Sequence, residues 1–204
     1  MTKAGPTIVG ITGASGAVYA VRLVEVLLAA GRDVHLSISP SGRDVLLHET
    51  KVAINLERFE PEVFLRTSAS DAPGELTYYH HGDFLAPMAS GSFLTGGMVV
   101  CPCSGTTLAA IATGNAANLI QRAAEVQLKE RRKLILVPRE APLSLTHIEN
   151  MRRATEAGAI ILPASPGWYH GAETLDDLVN FVVARICDQL GVEHSLIRRW
   201  GGAE

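Results

Sequence analysis

The stretch from Met98 to Glu140 constrains the fold more than any other part of this chain. It begins and ends with short apolar runs, Met98–Cys101 and Leu134–Val137, which are typical of buried strands. Between them we predict a helix that begins near Leu108 and a second helix over Leu119–Arg132. Two buried strands joined by helical sequence indicate that strands and helices alternate in this chain.

The first fifty residues have the same alternation. Thr7–Ile11 and Val34–Ser39 are predicted strands, and apolar residues recur at helical spacing over Val18–Leu28, where Gly31 ends the helix. A further helix is expected over Arg43–Thr50. This βαβα order predicts a parallel sheet with right-handed crossovers.

The remaining elements follow without any sequence that is typical of a linker or a repeat. In chain order we expect a helix over Ile54–Arg66, a surface loop over Ser68–Gly74, a short strand over Leu76–His81, a helix over Thr146–Ala157, a strand over Ala159–Leu162 and a helix over Thr174–Leu190 that Thr174 caps. The tail beyond Glu193 carries Leu196, Ile197 and Trp200, which we expect to be exposed and to pack on another surface.

Composition excludes several classes of function. A net charge of −3 and a pI near 6.2 give no electrostatic reason to expect a nucleic-acid or membrane-surface partner. The chain has no apolar run long enough to span a membrane and no cleavable apolar leader, so we expect a cytoplasmic location. Cys101, Cys103 and Cys187 lack the spacing of a disulfide framework or a zinc site, so we interpret them as buried thiols and expect no metal.

A glycine turn, Gly10–Gly16, follows the first predicted strand, and its backbone can approach an anion or a ring. Its spacing differs from the dinucleotide fingerprint and from the P-loop. At the end of the second strand the chain has Ser37, Ser39 and Ser41, where a NAD site needs an acidic residue for the ribose. FMN, with one phosphate and several hydroxyls, fits better, and a tight turn that holds no ligand is the alternative.

A second polar turn follows the strand that begins at Met98. Its hydroxyls, Ser104, Thr106 and Thr107, stand where a helix begins, and a helix start binds a phosphate monoester well. Arg139 and Glu140 follow the next strand and provide a cation and a possible proton donor. Because ligands bind at the carboxyl ends of parallel strands, these turns predict a site for a phosphorylated ligand.

Taken in order and spacing, six segments of the chain closely resemble the flavin prenyltransferases of the UbiX/Pad1 type over nearly its whole length. They are GITGASGA (10–17), ASGSF (89–93), MVVCPCSGTTLAAIA (98–112), NLIQRAAEVQLKERRKLILVPREAPL (118–143), WYH (168–170) and LVNFVVARICDQLG (178–191). The chain departs from the family at Gly105, where many members carry Met, and at Gly167-Trp168, where Ala-Phe is more usual.

The resemblance implies a Rossmann-like (flavodoxin-like) α/β fold, a three-layer sandwich with a mostly parallel sheet. Residues 1–204 would form a single flavin-binding domain, with the tail of about 192–204 packing on a neighbouring subunit. The implied reaction joins a dimethylallyl group from dimethylallyl monophosphate to N5 and C6 of reduced FMN without a metal. The product would be passed to a UbiD-type decarboxylase, and the enzyme would form a dodecamer with active sites between subunits.

The resemblance also implies roles for particular residues. The FMN contacts would be Gly13, Ala14, Ser15, Ser39, Ser104, Gly105, Thr106, Thr107, Arg122 and Arg139. The prenyl-substrate contacts would be Ser90, Gly91, Lys129, Arg139, Glu140, Tyr169, Arg185 and Trp200, the last as a lid from a neighbouring chain. The catalytic groups would be Ser15 as a proton relay near N5, Glu49 for proton removal from C6, and Lys129, Glu140 and Tyr169 around the leaving phosphate.

The residue types suit this chemistry, because breaking a C–O bond to phosphate without Mg²⁺ needs cations and proton donors around the leaving group. Taken singly, Glu49 and Lys129 could each be solvated surface charges, and His147 could be structural or exposed. Two other functions remain open. A flavin-dependent cysteine decarboxylase would carry a catalytic His in the early helix, which the stretch Val18–Ala30 lacks. A non-catalytic FMN carrier would not need a second anion site at Tyr169 and Arg185.

Overall fold

The computed structural model describes residues 5–65, 72–169, 171–199 and 201. Within these ranges six strands form one parallel sheet in the order β3-β2-β1-β4-β5-β6. The strands are β1 (Thr7–Ile11), β2 (Val34–Ile38), β3 (Leu76–Tyr78), β4 (Gly97–Cys103), β5 (Leu134–Pro138) and β6 (Ile160–Ile161). The order reverses between β1 and β4, and such a switch point opens a crevice at the carboxyl ends of the strands.

Helices cover both faces of the sheet. They are α1 (Ala17–Ala29), α2 (Pro40–Thr50), α3 (Pro61–Phe64), α4 (Gly105–Thr113), α5 (Leu119–Lys129), α6 (Leu145–Glu156) and α7 (Leu175–Leu190), with a 3₁₀ turn at Pro87–Ala89. Strand side chains alternate between the faces, so Val9 packs with α1, α2 and α7 while Ile8 packs with α4, α5 and α6. The predicted α/β three-layer sandwich is therefore confirmed, and the sheet is parallel throughout the described strands.

The helix predicted over Ile54–Arg66 is wrong. Only Pro61–Phe64 is helical, and Arg66 lies outside the described residues. The Asn55 side chain accepts the N–H groups of Glu57 and Arg58, which folds a turn where the helix was expected. Pro61 also disfavours helical backbone in the residue before it.

Other element boundaries differ by a few residues. The helix α5 ends at Lys129 instead of Arg132, because Arg131 has a left-handed φ of 57°. The strand β3 ends at Tyr78 instead of His81, and α4 begins at Gly105 instead of near Leu108, since Ser104 caps it. The loop predicted over Ser68–Gly74 falls largely outside the described residues.

The C-terminal tail lies against its own chain as far as the structure describes it. Leu196 and Ile197 are half-buried against the core beside α1 and α7, so their predicted exposure is wrong. Trp200 lies outside the described residues. Among the described helices, none combines the length and apolar composition that crossing a membrane requires.

Candidate active site

The carboxyl ends of the central strands bring together the polar turns that the sequence singled out. Ser15 follows β1, Ser39 caps α2 after β2, Ser104 caps α4 after β4, and Arg139 follows β5. We call this group the strand-end cluster. Its members are Ser15, Ser39, Glu49, Ser104, Thr107 and Arg139. The sheet therefore gathers, at one edge, residues that lie more than a hundred positions apart in the sequence.

A buried threonine joins the two polar turns across the switch point. The Thr12 hydroxyl donates to the Pro102 carbonyl at 2.8 Å and accepts the Ser104 N–H at 2.8 Å. These bonds fix the glycine turn against the start of α4. Sequence reasoning missed Thr12, although a hydroxyl directly after a buried strand was the available signal.

The start of α4 carries a small hydroxyl pair. The Ser104 hydroxyl accepts the Thr107 N–H at 3.3 Å and donates to the Thr107 hydroxyl at 3.0 Å. Thr106 is exposed beside them. The first N–H groups of a helix have no partner within the helix, so this turn has donors for an anion, and its predicted phosphate site stays a prediction.

Glu49 reaches back from α2 to the start of α1. Its carboxylate accepts the N–H groups of Gly16 and Ala17, each at 2.9 Å, and a hydrogen bond from the Ser15 side chain. Burial opposes its ionisation, but these hydrogen bonds and the charge of Arg139 outweigh burial and lower the Glu49 pKa. The start of α1 is therefore occupied by the protein's own carboxylate.

The middle of the glycine turn lies close to the start of α2. A Cβ at Gly13 would lie 2.5 Å from the Ser41 Cβ, so only glycine fits this approach. Arg139 donates from Nε to the Ser15 carbonyl at 3.3 Å and thereby lies beside the Ser15–Glu49 pair. Tyr19, on the first turns of α1, is a further neighbour that sequence reasoning missed, and burial raises its pKa.

The space beside Gly105 is filled by a histidine from α6. A Cβ there would lie 2.7 Å from Nε2 of His147, so the imidazole occupies the space of a side chain at this position. The ring is fixed through Nδ1, which lies 3.0 Å from the Ser144 hydroxyl in a capping box. His147 thus has the structural role that was weighed for it, at the entrance to α4.

Three predicted substrate contacts, Ser90, Gly91 and Lys129, lie together at the end of α5. A Cβ at Gly91 would lie 2.6 Å from Lys129 Nζ, and Arg132 donates to the Gly91 carbonyl at 2.6 Å. We call this group the amino-edge cluster. Its members are Ser90, Gly91, Lys129, Glu130 and Arg132. Arg122 contacts the same turn by donating to the Ala89 carbonyl at 3.3 Å.

The amino-edge cluster and the strand-end cluster lie at opposite edges of the sheet. Lys129 ends α5 four residues before Lys133, whose carbonyl accepts the N–H of Met98 at the start of β4. A five-residue strand such as β5 is about 16 Å long at roughly 3.3 Å per residue, which separates the two edges. One chain therefore does not bring Lys129 to Arg139.

A third group lines a groove of about 330 Å³ beside the edge strand β6. Ile161, Phe181 and Arg185 contribute to its wall, and Tyr169 packs edge-on against Phe181 with ring centres 5.6 Å apart. The predicted substrate ligands Tyr169 and Arg185 therefore lie on the same side of α7. We call this cavity the β6 groove.

The predicted catalytic residue Glu140 follows Arg139 at the end of β5. Glu140 is exposed, and its carboxylate accepts the N–H of Ala141 at 3.2 Å. Trp200 and His170 lie outside the described residues, so the lid role of Trp200 stays a prediction. The described residues contain no cluster of three or more His, Cys, Asp or Glu side chains that could hold a metal ion. Burial raises the pKa of Cys101 and Cys103, as expected for inert thiols.

Known proteins resemble this chain over nearly its whole length. The Flavoprotein family profile matches residues 1–187. Flavin prenyltransferase UbiX of Pseudomonas aeruginosa is 48% identical over 191 residues, which are 94% of this chain and 91% of that protein. The chain belongs to the UbiX flavin prenyltransferase family.

Solved structures agree with this membership. The crystal structure of AnUbiX (PadA1) in complex with FMN and dimethylallyl pyrophosphate has a TM-score of 0.85 and 36% identity, covering 98% of this chain and 100% of that one. A dodecameric FMN-dependent UbiX-like decarboxylase from Escherichia coli O157:H7 has a TM-score of 0.82 and 41% identity, covering 97% and 100%. The cysteine decarboxylase TvaF, at 16% identity and a TM-score of 0.59, shares the fold alone.

The strand-end cluster fits FMN. The hydroxyls of Ser39 and Ser104 and the helix start at α4 suit its phosphate and ribityl hydroxyls, and Arg139 supplies a cation beside them. A Cβ at Gly13 would meet Ser41, so glycine at this position lets the turn lie close to the start of α2, beside Ser39. These groups can therefore bind the phosphate and the hydroxyls of FMN.

Proposed function

We propose that the chain is a flavin prenyltransferase that joins a dimethylallyl group to N5 and C6 of reduced FMN without a metal ion. The observation that carries this proposal is the contact between Ser15, Glu49 and Arg139 at the carboxyl edge of the sheet. It combines a hydroxyl, an ionised carboxylate and a cation at the turn that we propose as the flavin site. Family membership supports the same activity.

The strand-end cluster would hold FMN. Its phosphate would lie at the start of α4 with Ser104 and Thr107, and Ser39 and Arg139 would contact the rest of the molecule. Gly13, Ala14, Gly105 and Thr106 complete the proposed contacts within one chain, and Arg122, which contacts the Ala89 turn, would reach FMN from a second copy. When bound and reduced, FMN supplies the nucleophilic ring atoms that accept the prenyl group.

Proton transfer would run through Ser15 and Glu49. The lowered pKa of Glu49 keeps its carboxylate ionised, and the Ser15 hydroxyl that donates to this carboxylate would relay a proton to it. Arg139 lies close enough to hold this charge in place. The pair can therefore remove a proton from a ligand that sits against the glycine turn.

The leaving phosphate would be bound by residues from separate parts of the structure. Tyr169 and Arg185 would bind it in the β6 groove, and Lys129 and Glu140 would assist its departure. Lys129 lies about one strand length from Arg139 within a chain. We therefore propose that a second copy supplies Lys129 with Ser90 and Gly91, and that the tail with Trp200 packs on this neighbour. The dodecameric state of the Escherichia coli relative supports such sites between subunits.

We further propose that the enzyme is cytoplasmic and passes prenylated FMN to a UbiD-type decarboxylase. The decisive experiment is an anaerobic reaction of the full chain with reduced FMN and dimethylallyl monophosphate in the presence of EDTA, followed by mass spectrometry of the released flavin. Addition of one C5 unit is the expected result. A matched reaction with Glu49→Gln should leave the flavin unmodified.

The name of the Escherichia coli relative makes a decarboxylase the second candidate. A parallel reaction should therefore contain oxidised FMN and a peptide that ends in cysteine, with release of carbon dioxide as the measurement. Unmodified flavin together with carbon dioxide would replace the prenyltransferase with a decarboxylase. Unmodified flavin and no carbon dioxide, with FMN binding intact, would favour a flavin carrier.

A further inference from the structure

One carboxylate connects the β6 groove to the C-terminal tail. Asp188, on the last turn of α7, accepts a hydrogen bond on Oδ2 from Arg185 Nη1 at 2.9 Å. Its other oxygen, Oδ1, accepts from Arg199 Nη2 at 2.8 Å and from His194 Nε2 at 3.1 Å. The groove arginine and two tail residues thus share a single side chain.

The tail side of this contact is well ordered by hydrogen bonds. The His194 side chain is only 2% exposed, and its Nδ1 accepts the N–H of Leu196 at 3.3 Å. Since Nδ1 is the acceptor, the proton of the neutral ring lies on Nε2 and points to Asp188. Burial opposes ionisation of Asp188, but the hydrogen bonds from Arg199 and His194 and the charge of Arg199 outweigh burial and lower the Asp188 pKa.

The partners of the two carboxylate oxygens of Asp188 determine how strongly this side chain binds Arg185. With Oδ1 occupied by the tail, Asp188 binds Arg185 through one nitrogen, and a guanidinium has five N–H donors to offer. Without Arg199, Oδ1 would keep only the longer bond from His194 and could accept a second donor from Arg185. Arginine and carboxylate then form the stronger two-bond pair, which competes with a phosphate for the same donors.

We propose that Asp188 is a positioning residue that couples docking of the tail to binding of the prenyl phosphate at Arg185. The docked tail keeps Oδ1 occupied and leaves Arg185 available to the phosphate. Because such coupling is reciprocal, a bound phosphate in turn stabilises the docked tail. The inference rests on the proposed function, which assigns the prenyl phosphate to the β6 groove.

The test is a double-mutant cycle on the affinity of FMN-loaded protein for dimethylallyl monophosphate, measured by calorimetry. Arg199→Gln should weaken binding by about 5- to 10-fold in the wild-type background, a coupling of ordinary size. In the Asp188→Asn background the same change should have no effect, since no carboxylate remains to capture Arg185. Equal effects of Arg199→Gln in both backgrounds would overturn the proposal.

Controls separate the coupling from general charge loss and from failure of the proposed function. Arg152→Gln removes a similarly exposed arginine from its ion pairs with Glu149 and Glu156 on α6 and should leave the affinity unchanged. Arg185→Gln should abolish tight phosphate binding. If it does not, the assignment of the groove fails, whereas an effect of Arg185→Gln without one of Arg199→Gln rejects only the coupling.

A second measurement does not depend on the variants folding. Dimethylallyl monophosphate should slow amide hydrogen exchange at Leu196 in the wild-type chain, because the bound phosphate stabilises the docked tail. For the variants of the binding cycle, unchanged FMN affinity is the control, since Arg185, Asp188 and Arg199 do not belong to the strand-end cluster. Unchanged exchange at saturating phosphate would also overturn the coupling.

Discussion

The charged side chains of the strand-end cluster and of the amino-edge cluster differ in what holds them in place. In the first, Glu49 and Arg139 are held by contacts with the glycine turn that come from distant parts of the chain. In the second, Lys129 is half-exposed and pairs with its own sequence neighbour, Glu130. An exposed pair of this kind contributes little to stability, because water screens the attraction between its charges. The first cluster is therefore preorganised within one chain, while the second is free to serve a neighbouring one.

The largest effect is expected from Glu49→Gln. The amide retains an oxygen that can accept the N–H groups of Gly16 and Ala17, but it loses the charge that accepts a proton. Turnover should fall by about 10²- to 10⁴-fold, the usual contribution of a positioned acid or base. Measurement of kcat with reduced FMN tests this, and turnover within twofold of wild type would show that the preorganised cluster is not catalytic.

Acid unfolding provides the control for this variant. Because the Glu49 pKa is lowered in the fold, its ionised form stabilises the native state above about pH 4.3, the ordinary glutamate value. That stabilisation is lost as the pH falls through the lowered pKa. Glu49→Gln should therefore lack this part of the acid dependence of the melting temperature, and an identical dependence in both proteins would contradict the contacts of Glu49 with the start of α1.

The next largest effect is expected from Arg139→Ala. Removing the guanidinium deletes the bond to the Ser15 carbonyl and the cation beside Glu49. FMN should bind about 10- to 100-fold more weakly, in line with the loss of a charge-assisted contact. Fluorescence titration with FMN measures the affinity, and Lys129→Ala is the matched control. An equal loss in both variants would erase the distinction between the clusters.

The fold was predictable because its signals are local. Apolar runs such as Val34–Ile38 and caps such as Thr174 fix strands and helix starts from a few neighbouring residues. The helix expected near Ile54 failed where Asn55 and Pro61 acted against the apolar spacing. Local turn chemistry outweighed periodicity there.

The site was predictable only in part. Ser104 and Arg139 each follow a predicted strand, and parallel strands end together, so the sequence alone places both residues at one edge of the sheet. It does not show that Glu49 caps α1, because that contact depends on how α2 packs against α1. Likewise, the insertion of His147 over Gly105 depends on the packing of α4 against α6. Long-range contacts of this kind leave no periodic trace in the sequence.

A mixing experiment tests whether the amino-edge cluster serves a neighbour. Lys129→Ala and Arg185→Ala should each be inactive alone, but subunits of both, unfolded and reassembled together, should regain activity. If the two residues come from different chains, about a quarter of the sites in a randomly mixed symmetric oligomer contain both intact residues. No recovery, with the oligomer confirmed by light scattering, would place both residues in the same chain.

The smallest effect concerns the β6 groove, which resembles the strand-end cluster in that its residues already touch within one chain. A Cβ at Gly167 would lie 2.9 Å from atoms of both Tyr169 and Phe181, so Gly167→Ala must displace both rings or shift the backbone that carries the new methyl group. We expect the KM for dimethylallyl monophosphate to rise by about 2- to 5-fold, a modest loss of binding worth less than about 1 kcal/mol, with FMN affinity unchanged. Gly82→Ala, which meets only the His80 ring at 3.2 Å, is the control away from the groove. An unchanged KM would mean that the position of Tyr169 does not govern phosphate binding. The β6 groove would then resemble the amino-edge cluster, whose exposed cation is not held in place within one chain, and would differ from the preorganised strand-end cluster.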